Sequence, residues 1–376
     1  MTKNNDIQCL RALAIILVIA QHYRNRLPTP EWYALLFRHF GFWSGVDIFF
    51  AVSGFLICKT FLHDLDQANS FPVAAKRFWL RRAIRLMPAL VFWSGFSVAL
   101  TLITMSAVEA DTLKVLISAA ISLIGLSNVY WSHCFQTDIS ACGNPDFNGI
   151  TWSLSLEWQL YALLTMLLYV LGRRFAIILM LGFSLIMSTL QAHAFSYAWS
   201  FRMQAFTLGA LIFIISSKDC RFRALHVSLI SSRIMLFSGL LLCIMAPKSV
   251  PQPFVLPAIA LGAAFCLVSA LNGDSYSKSR LARPFIWIGE RSYSVYLCHL
   301  PLILITREIM SRTMGLQATD ANMLTAIFIS GSLISISSAI SYRLIEQYFQ
   351  KVFGKPKFPV PVDENAPEAA NASASP

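Results

Sequence analysis

The sequence predicts an all-α fold, a polytopic membrane helix bundle, and two observations carry this prediction. The 376-residue chain is 56% hydrophobic and 13% charged, whereas about a quarter of the residues of an ordinary soluble domain are charged. Apolar runs of roughly 18 to 22 residues recur along the chain, and each is long enough to cross a ~30 Å hydrocarbon core as a helix. The lipid bilayer is therefore the first expected partner.

Ten membrane-spanning helices are predicted from these runs. The first is expected to remain in the protein and not to be cleaved as a signal peptide, because it contains Arg11 and no small-residue cleavage site follows it. One further apolar stretch, 114–131, is ambiguous. The predicted spans lie at about 7–23, 41–62, 86–107, 152–171, 175–192, 200–216, 229–246, 255–271, 286–306 and 322–342.

The distribution of basic residues decides how 114–131 is interpreted. If this stretch does not cross and both termini are cytoplasmic, the loops on the cytoplasmic side carry most of the lysine and arginine, as the positive-inside rule requires. A crossing would reverse that bias for most of the chain. We therefore expect 114–131 to be re-entrant or to lie along the outer surface.

The chain is expected to form one membrane domain over residues 1–350, followed by a tail over 351–376. The tail is rich in Pro, Ala, Asn and Glu and should be disordered and cytoplasmic. The net charge of +11 belongs mainly to cytoplasmic loops of a membrane protein, and no soluble basic domain is present. Nucleic acid is therefore excluded as a partner.

Two of the eight cysteines share one polar loop that the predicted topology places outside the cytoplasm. Cys134 and Cys142 could form a disulfide in an oxidising compartment, or they could remain two free thiols. The other cysteines lie mostly in apolar segments and are expected to be packing residues.

Ionisable residues within the predicted spans fall into two layers. Arg11 and His22 are eleven residues apart, which in a helix is ~16 Å along the axis with a net rotation of only ~20°. Both therefore lie on one face of the first span, with Arg11 nearer the cytoplasm and His22 nearer the outside. Such residues are costly in a membrane and usually face the bundle interior or a wet cavity.

The outer layer contains two imidazoles and two carboxylates, and these are the predicted catalytic residues. A carboxylate beside an imidazole can fix its tautomer and stabilise the imidazolium that forms during general-base catalysis. The alternative is that each histidine simply makes an interhelical hydrogen bond. The four residues are His22, Asp47, Glu157 and His299.

The inner layer contains four arginines, and these are the predicted binding residues for an anionic cosubstrate. Arg82 and Arg85 share a helical face, and a guanidinium can bind phosphate through two donors at once. The same basic run could instead be a topology anchor. The four residues are Arg11, Arg82, Arg85 and Arg291. Phosphate-loop, nucleophile-elbow and metal-ligand motifs do not occur in the sequence, so no metal is expected.

Five motifs in order resemble the acyltransferase-3 family of integral-membrane O-acyltransferases, over roughly residues 5–350. They are Arg11-x10-His22, "GVDIFFAVSGFLI", "RFWLRRAIRLMPA", "TWSLSLEWQLY" and "IGERSYSVYLCHLP". The family's Arg-x-x-Arg motif falls on Arg82 and Arg85. Its S-L-x-x-E element falls on Glu157 with Ser153, or with Ser155 if it is counted from the second serine.

The resemblance implies that an acyl group, commonly acetyl, passes from cytoplasmic acetyl-CoA to a sugar hydroxyl across the inner membrane. The acceptor would be a glycan such as lipopolysaccharide O-antigen or an exopolysaccharide. His22, oriented by Asp47 or Glu157, would deprotonate the acceptor or mediate the passage of the acyl group, and Arg11 would hold the pantetheine or thioester. The residues expected to support them are Ser53, Trp152, Ser153, Ser155 and Tyr296.

Many relatives carry a C-terminal hydrolase-like domain of the SGNH type, whereas this sequence ends in a short tail. We therefore expect that a separate SGNH-type protein could complete the reaction. The alternative function is a transporter of a sugar or acyl anion, in which the buried charges would form a proton relay. The absence of repeated halves disfavours a transporter. The sequence leaves open the acceptor hydroxyl, the acyl group, the oligomeric state and the choice between direct transfer and an acyl-enzyme.

Overall fold

A computed structural model describes residues 4–68, 70–103, 110–218, 228–271, 273 and 276–354. Within this part of the chain, helices are the only regular secondary structure. Shorter helical turns of other types occur at Phe42–Ser44, Arg280–Ala282 (both 3₁₀) and Tyr342–Gln347 (π). The α-helices are α1 Asn5–Tyr23, α2 Glu31–His39, α3 Gly45–Gln67, α4 Phe71–Thr101, α5 Thr112–Leu123, α6 Ser127–Gln136, α7 Ile139–Cys142, α8 Pro145–Asn148, α9 Thr151–Met187, α10 Tyr197–Ser200, α11 Gln204–Lys218, α12 Leu229–Ser249, α13 Val255–Leu271, α14 Arg283–Glu290, α15 Ser292–Thr313, α16 Asp320–Ser341 and α17 Tyr348–Phe353.

The fold class predicted from the sequence is confirmed, because the described residues form a helix bundle with several helices suited to a membrane. Seven helical segments in this part of the chain are long and apolar enough to cross one: Asn5–Tyr23, Phe42–Gln67, Phe71–Thr101, Thr151–Met187, Tyr197–Ser216, Leu229–Ser249 and Asp320–Phe353. The 37-residue α9 is interrupted at Gly172, whose φ of 71° is not helical. This break separates the predicted spans at 152–171 and 175–192.

The ambiguous stretch 114–131 forms two short helices and not one long one. The break is at Gly125, which has a φ of 75°. At ~1.5 Å per residue, α5 is about 18 Å long, which is too short to cross a ~30 Å core. Its polar side is satisfied locally: the hydroxyls of Ser122, Ser127 and Thr151 lie 2.7–2.9 Å from one another. These contacts fasten the α5–α6 segment to the start of α9.

Five helices enclose the centre of the bundle, namely α1, α3, α4, α9 and α15. The most apolar stretch within Phe42–Gln67, which contains α3, is 72% buried, whereas that of α12 is 22% buried. Helix α3 is therefore central, and α12 is peripheral with most of its apolar surface directed outward. In an apolar bundle, polar side chains on the five central helices must face one another or line a cavity.

Helices α3 and α11 pack at the distance that only glycine permits. A Cβ at Gly54 would lie 2.0 Å from the carbonyl oxygen of Phe206, and a Cβ at Gly209 would lie 2.0 Å from that of Ala51. Small residues of this kind let helix backbones approach closely in membrane proteins. The close contact holds the chain that precedes α11, including Arg202, against the start of α3.

The helical part of the chain extends slightly past the predicted domain boundary at residue 350, because α17 ends at Phe353. The remainder of the predicted tail, from residue 355 onward, lies outside the described residues.

The α3–α11 contact predicts that Gly209→Ala destabilises the protein. The added methyl group would collide with backbone, so the helices must separate, at a cost of about 1–3 kcal/mol. Gly331 on α16 is the matched control, since a Cβ there meets no atom within 4 Å. Gly331→Ala should be neutral or stabilising by up to about 1 kcal/mol. Thermal unfolding midpoints of the detergent-solubilised variants test this difference, and equal midpoints would contradict it.

Candidate active site

Two cavities lie end to end between the central helices. The arginine cavity has a volume of about 90 Å³, and the residues that line it include Arg11, Ser53, Arg82, Arg85, Glu157 and Tyr161. The histidine cavity has a volume of about 320 Å³, and the residues that line it include Gln21, His22, Arg26, Trp43, Trp131, Trp152 and Trp199. Helix α1 contributes to both, with Arg11 in one and His22 in the other. The two ends of that helix therefore face two different chemical environments.

A thin wall separates the cavities, because Val46 and Tyr296 line both of them. The hydroxyl of Tyr296 donates to the carbonyl of Ile150 at 2.8 Å and lies 2.6 Å from the Ser153 hydroxyl. Since the phenol has one proton, the Ser153 hydroxyl donates to the phenolic oxygen. We call Val46 and Tyr296 the septum. Tyr296 is held in place there by one hydrogen bond that it donates to Ile150, just before α9, and one that it accepts from Ser153 in the first turn of α9.

His22 and His299, both predicted as catalytic, are brought into direct contact. Nδ1 of His22 lies 2.9 Å from Nε2 of His299, and Nδ1 of His299 lies 2.6 Å from the carbonyl oxygen of Tyr296. A carbonyl can only accept, so Nδ1 of His299 carries a proton, and Nε2 of the neutral ring is then an acceptor. It follows that His22 donates through Nδ1 and that its Nε2 bears a free lone pair.

This hydrogen-bond chain gives the two histidines different roles. His22 lines the histidine cavity, whereas His299 is fully buried behind it. If Nε2 of His22 takes up a proton, the ring becomes an imidazolium. Its Nδ1–H group already donates a hydrogen bond to Nε2 of His299. His299 thus orients His22 and would stabilise its protonated form, which is the task that a carboxylate performs in many general-base sites.

The expectation that Asp47 orients His22 is wrong, because Asp47 is paired with Arg202. Nε of Arg202 lies 3.1 Å from Oδ1 of Asp47, and the two side chains are 1% and 5% exposed. A buried carboxylate needs a partner of opposite charge, and the close packing of α3 against α11 supplies one.

The expectation that Glu157 belongs to the outer layer is also wrong. Glu157 lines the arginine cavity and accepts hydrogen bonds from Ser53 and Tyr161. The predicted depth of Glu157 is wrong because the first turn of α9 does not lie at the surface. Thr151, Trp152 and Ser153 are buried beneath the segment α5–α8, so Glu157 lies deeper than its distance from the start of the helix indicates.

Three of the four predicted binding arginines meet in the arginine cavity, where Arg11, Arg82 and Arg85 line one space. Arg82 and Arg85 also line an adjoining cleft of about 260 Å³, so they stand at the mouth of the cavity. Arg291 is placed elsewhere. It occupies the junction between α14 and α15, where it donates to the carbonyl of Trp287 at 3.1 Å and lies 4.4 Å from the Trp287 ring centroid.

The supporting residues divide between the site and the scaffold. Ser53 and Ser153 line the arginine cavity, and Trp152 lines the histidine cavity. Ser155 instead accepts a hydrogen bond at 3.0 Å from the backbone N–H of Ser127 and fastens α6 to α9. Of the two serines that could belong to the S-L-x-x-E element, Ser153 is therefore the one at the cavity.

Sequence reasoning missed two buried ionic residues. One is Arg202, which falls at the start of the predicted span 200–216 but is not among the residues that the sequence assigns to the site. The other is Glu346, which is 2% exposed, accepts from Ser294 and lies within electrostatic range of Arg11 and Arg85. It sits in the π-helical turn, a local geometry that is frequent at functional sites. Such turns have no recognisable sequence pattern.

The segment α6–α8 covers one side of the histidine cavity. A disulfide joins Cys134 and Cys142 across this segment, and the Tyr130 hydroxyl donates to the carbonyl of Cys142 at 3.0 Å. Asp146 forms an ion pair with Arg26, which in turn donates to the carbonyl of His22 at 3.1 Å. The segment is thereby fixed to the end of α1 that carries His22.

Comparison with known proteins gives a match along nearly the whole chain. The family model described as an acyltransferase domain matches residues 4–343. The peptidoglycan O-acetyltransferase OatA of Listeria monocytogenes is 28% identical, over 92% of this chain and 56% of its own length. The putative membrane-bound transacylase BcsY of Komagataeibacter xylinus is 28% identical, over 92% and 82%. The putative peptidoglycan O-acetyltransferase YrhL of Bacillus subtilis is 25% identical, over 90% and 53%.

The chain spans little more than half the length of most of these relatives. No solved structure matches it.

The Asp47–Arg202 pair predicts a non-additive effect on stability. Arg202→Met leaves Asp47 buried without its partner and should cost about 3–5 kcal/mol. Asp47→Leu combined with Arg202→Met removes both charges and should recover more than half of that loss. Unfolding midpoints of wild type, both single variants and the double variant form a complete cycle. A double variant as unstable as the sum of the single variants would show that the two residues do not act as a pair.

Proposed function

The chain belongs to the acyltransferase-3 family, and from this premise we propose that it transfers an acyl group, acetyl by preference, from acyl-CoA to a glycan hydroxyl. The donor would enter the arginine cavity, and the acceptor would enter the histidine cavity. The observation that carries this proposal is the septum, because Val46 and Tyr296 line both of two chemically different cavities. A group transfer between two substrates that arrive from opposite sides requires such a meeting point.

The arginine cavity is suited to an anionic acyl donor. Arg82 and Arg85 stand where the cavity joins its outer cleft, and the planar guanidinium is the side chain best matched to phosphate. Glu157 lines the same cavity, and both Glu157 and Glu346 lie within electrostatic range of Arg11. The phosphates would therefore bind Arg82 and Arg85 at the mouth, and the uncharged acyl end would lie near the septum.

The histidine cavity is suited to accept a hydroxyl and remove its proton. Nε2 of His22 has a free lone pair because His299 fixes the tautomer. In the proposed step, His22 takes the hydroxyl proton while the oxygen attacks the thioester carbonyl. A C–O ester bond forms, the C–S bond breaks, and the proton passes from His22 to the departing thiolate. Direct transfer of this kind requires no acyl-enzyme.

Two features support an orientation in which the histidine cavity opens away from the cytoplasm. The disulfide between Cys134 and Cys142 lies in the segment that covers this cavity, and disulfides persist in oxidising compartments. The cleft next to the opposite mouth is lined by Lys59, Arg173 and Arg174, as the positive-inside rule favours for a cytoplasmic face. We therefore propose the inner membrane as the location, with the glycan acceptor on its far side.

The acceptor class proposed for this chain is broader than the acceptor for which its relatives are named. Two of them are named for O-acetylation of peptidoglycan, and we propose a surface glycan as the acceptor for this chain, with O-antigen and exopolysaccharide as further members of that class. A separate SGNH-type protein remains a proposed partner. Incubation of the purified chain with radiolabelled acetyl-CoA and glycans of each kind tests the reaction directly. Sugar uptake into vesicles without any acyl-CoA requirement would instead support a transporter.

The two-histidine arrangement predicts graded losses of transferase activity. His22→Ala removes the base and should lower kcat by about 10²–10⁴-fold. His299→Phe removes the acceptor for Nδ1 of His22 and should cost nearly as much. His299→Gln can still accept that hydrogen bond through its amide oxygen, so it should retain clearly more activity than His299→Phe. Steady-state kinetics with acetyl-CoA measures all three, and equal activity of the two His299 variants would refute the tautomer argument.

The septum predicts selectivity for the size of the acyl group. Val46→Ala enlarges the passage between the cavities, so transfer of butyryl relative to acetyl should rise by about tenfold, which is the scale of discrimination that one or two methylenes provide. Val52 also lines the arginine cavity but does not line the histidine cavity, and Val52→Ala is the control. The ratio of kcat/KM values for the two donors is the measurement. An equal change in both variants would show that the septum does not set acyl size.

A further inference from the structure

Three indole rings form one side of the histidine cavity. Trp43, Trp152 and Trp199 all line it. The ring centroids of Trp152 and Trp199 are 4.5 Å apart, and those of Trp43 and Trp199 are 5.9 Å apart. We call these three residues the tryptophan wall. They are contributed by separate parts of the chain, so the wall exists only in the folded bundle.

A single buried cation lies behind all three rings. Cζ of Arg202 is 4.0 Å from the ring centroid of Trp199, 4.6 Å from that of Trp152 and 4.9 Å from that of Trp43. Each distance is within the range of a cation–π contact. Asp47 anchors the guanidinium through Nε. Arg202 does not itself line the cavity, so its place in the site is to hold the three rings in fixed positions.

Polar atoms of three side chains around the histidine cavity lack hydrogen-bond partners in the part of the chain that the structure describes. The indole N–H groups of Trp131 and Trp199 are buried without a hydrogen-bond acceptor, and the side-chain oxygen of Gln21 is buried without a donor. All three residues line the histidine cavity. Leaving such a group unsatisfied costs about 1–3 kcal/mol. These atoms are themselves enclosed, so a ligand with hydroxyl donors and oxygen acceptors satisfies them only after the side chains that carry them rotate toward the cavity.

The charges around the cavity are balanced. Arg26 is paired with Asp146, and Arg202 is paired with Asp47. His22 is neutral in the state that can accept a proton. The cavity therefore offers an aromatic wall, whose Trp152 and Trp43 rings are tilted by 42° and 59° to that of Trp199, and little net charge. Its volume of about 320 Å³ falls within the usual range of small-molecule sites.

We propose that the tryptophan wall is a subsite for one uncharged pyranose ring of the acceptor, with Arg202 and Asp47 as positioning residues. One face of such a ring presents C–H bonds, which pack favourably on the electron-rich face of an indole. The hydroxyls on the ring edge face the side chains of Gln21 and Trp131, which line the same cavity, and one hydroxyl lies beside Nε2 of His22. This inference rests on the proposed function for its biological meaning, but sugar binding itself does not require transfer.

The experiment uses the full chain in lipid nanodiscs and measures binding of three tetrasaccharides by calorimetry: chitotetraose, cellotetraose and the anionic tetragalacturonate. Wild type should bind at least one neutral probe and should bind it more tightly than the anionic probe. Trp199→Leu should weaken that binding by about tenfold, as expected for the loss of a stacking ring. Trp199→Phe keeps a ring and should lose much less.

Two further variants separate the subsite from a general effect on folding. Trp32 is 52% exposed on α2, so Trp32→Leu should leave sugar binding unchanged. Arg202→Lys keeps the buried charge but loses the planar group behind the rings. It should raise the KM for the sugar several-fold, while the KM for acetyl-CoA stays the same.

The outcomes are decisive in each direction. Failure of both neutral probes to bind, tighter binding of the anionic probe, or binding that Trp199→Leu and Arg202→Lys leave unchanged would overturn the subsite. If Trp199→Leu does not fold, Trp199→Phe and Arg202→Lys supply the test. Sugar binding without any acetylation in wild type would overturn the proposed function and leave the subsite standing. Acetylation by wild type, together with sugar binding that Trp199→Leu leaves unchanged, would overturn the subsite and leave the proposed function standing.

Discussion

Charge inside an apolar helix bundle is stable only where each ion finds a partner of opposite sign, a hydrogen bond or a wet cavity. This constraint governs where the polar side chains of this protein lie. Asp47 and Arg202 form a buried pair, Glu346 accepts from Ser294 beside the arginines, and Arg11, Arg82 and Arg85 share one cavity with Glu157. The result is a separation by chemistry, with a cluster of three arginines at one end and the two histidines at the other, where Arg26 and Arg202 are each paired with a carboxylate.

Helix α1 links the two ends, because Arg11 and His22 lie on one of its faces and in different cavities. The two residues of the septum line both cavities and so lie between them. For a transferase this arrangement solves a specific problem: a bulky anionic donor and a glycan need not share one space or cross lipid. In the proposed reaction, the carbonyl and the hydroxyl would meet at the septum, with His22 in the cavity of the acceptor.

Much of this architecture was predictable from the sequence, since it follows from helical geometry. The common face of Arg11 and His22 and the shared face of Arg82 and Arg85 depend on spacing alone. The expectation that 114–131 does not cross depends on the distribution of basic residues. The partners of Asp47 and Glu157 were not predictable, because they depend on how deeply α9 is buried and on the glycine contact between α3 and α11. Arg202 was missed for the same reason: only the three-dimensional packing puts a loop arginine behind three tryptophans.

The central claim is that donor and acceptor approach the septum from opposite sides of the membrane. Proteoliposomes of uniform orientation, loaded with radiolabelled acetyl-CoA on one side and supplied with the glycan on the other, test it most directly. The account predicts labelled glycan only when acetyl-CoA is on the side of Arg82 and Arg85 and the glycan is on the side of the Cys134–Cys142 disulfide. Labelling that requires both substrates on the same side would contradict it.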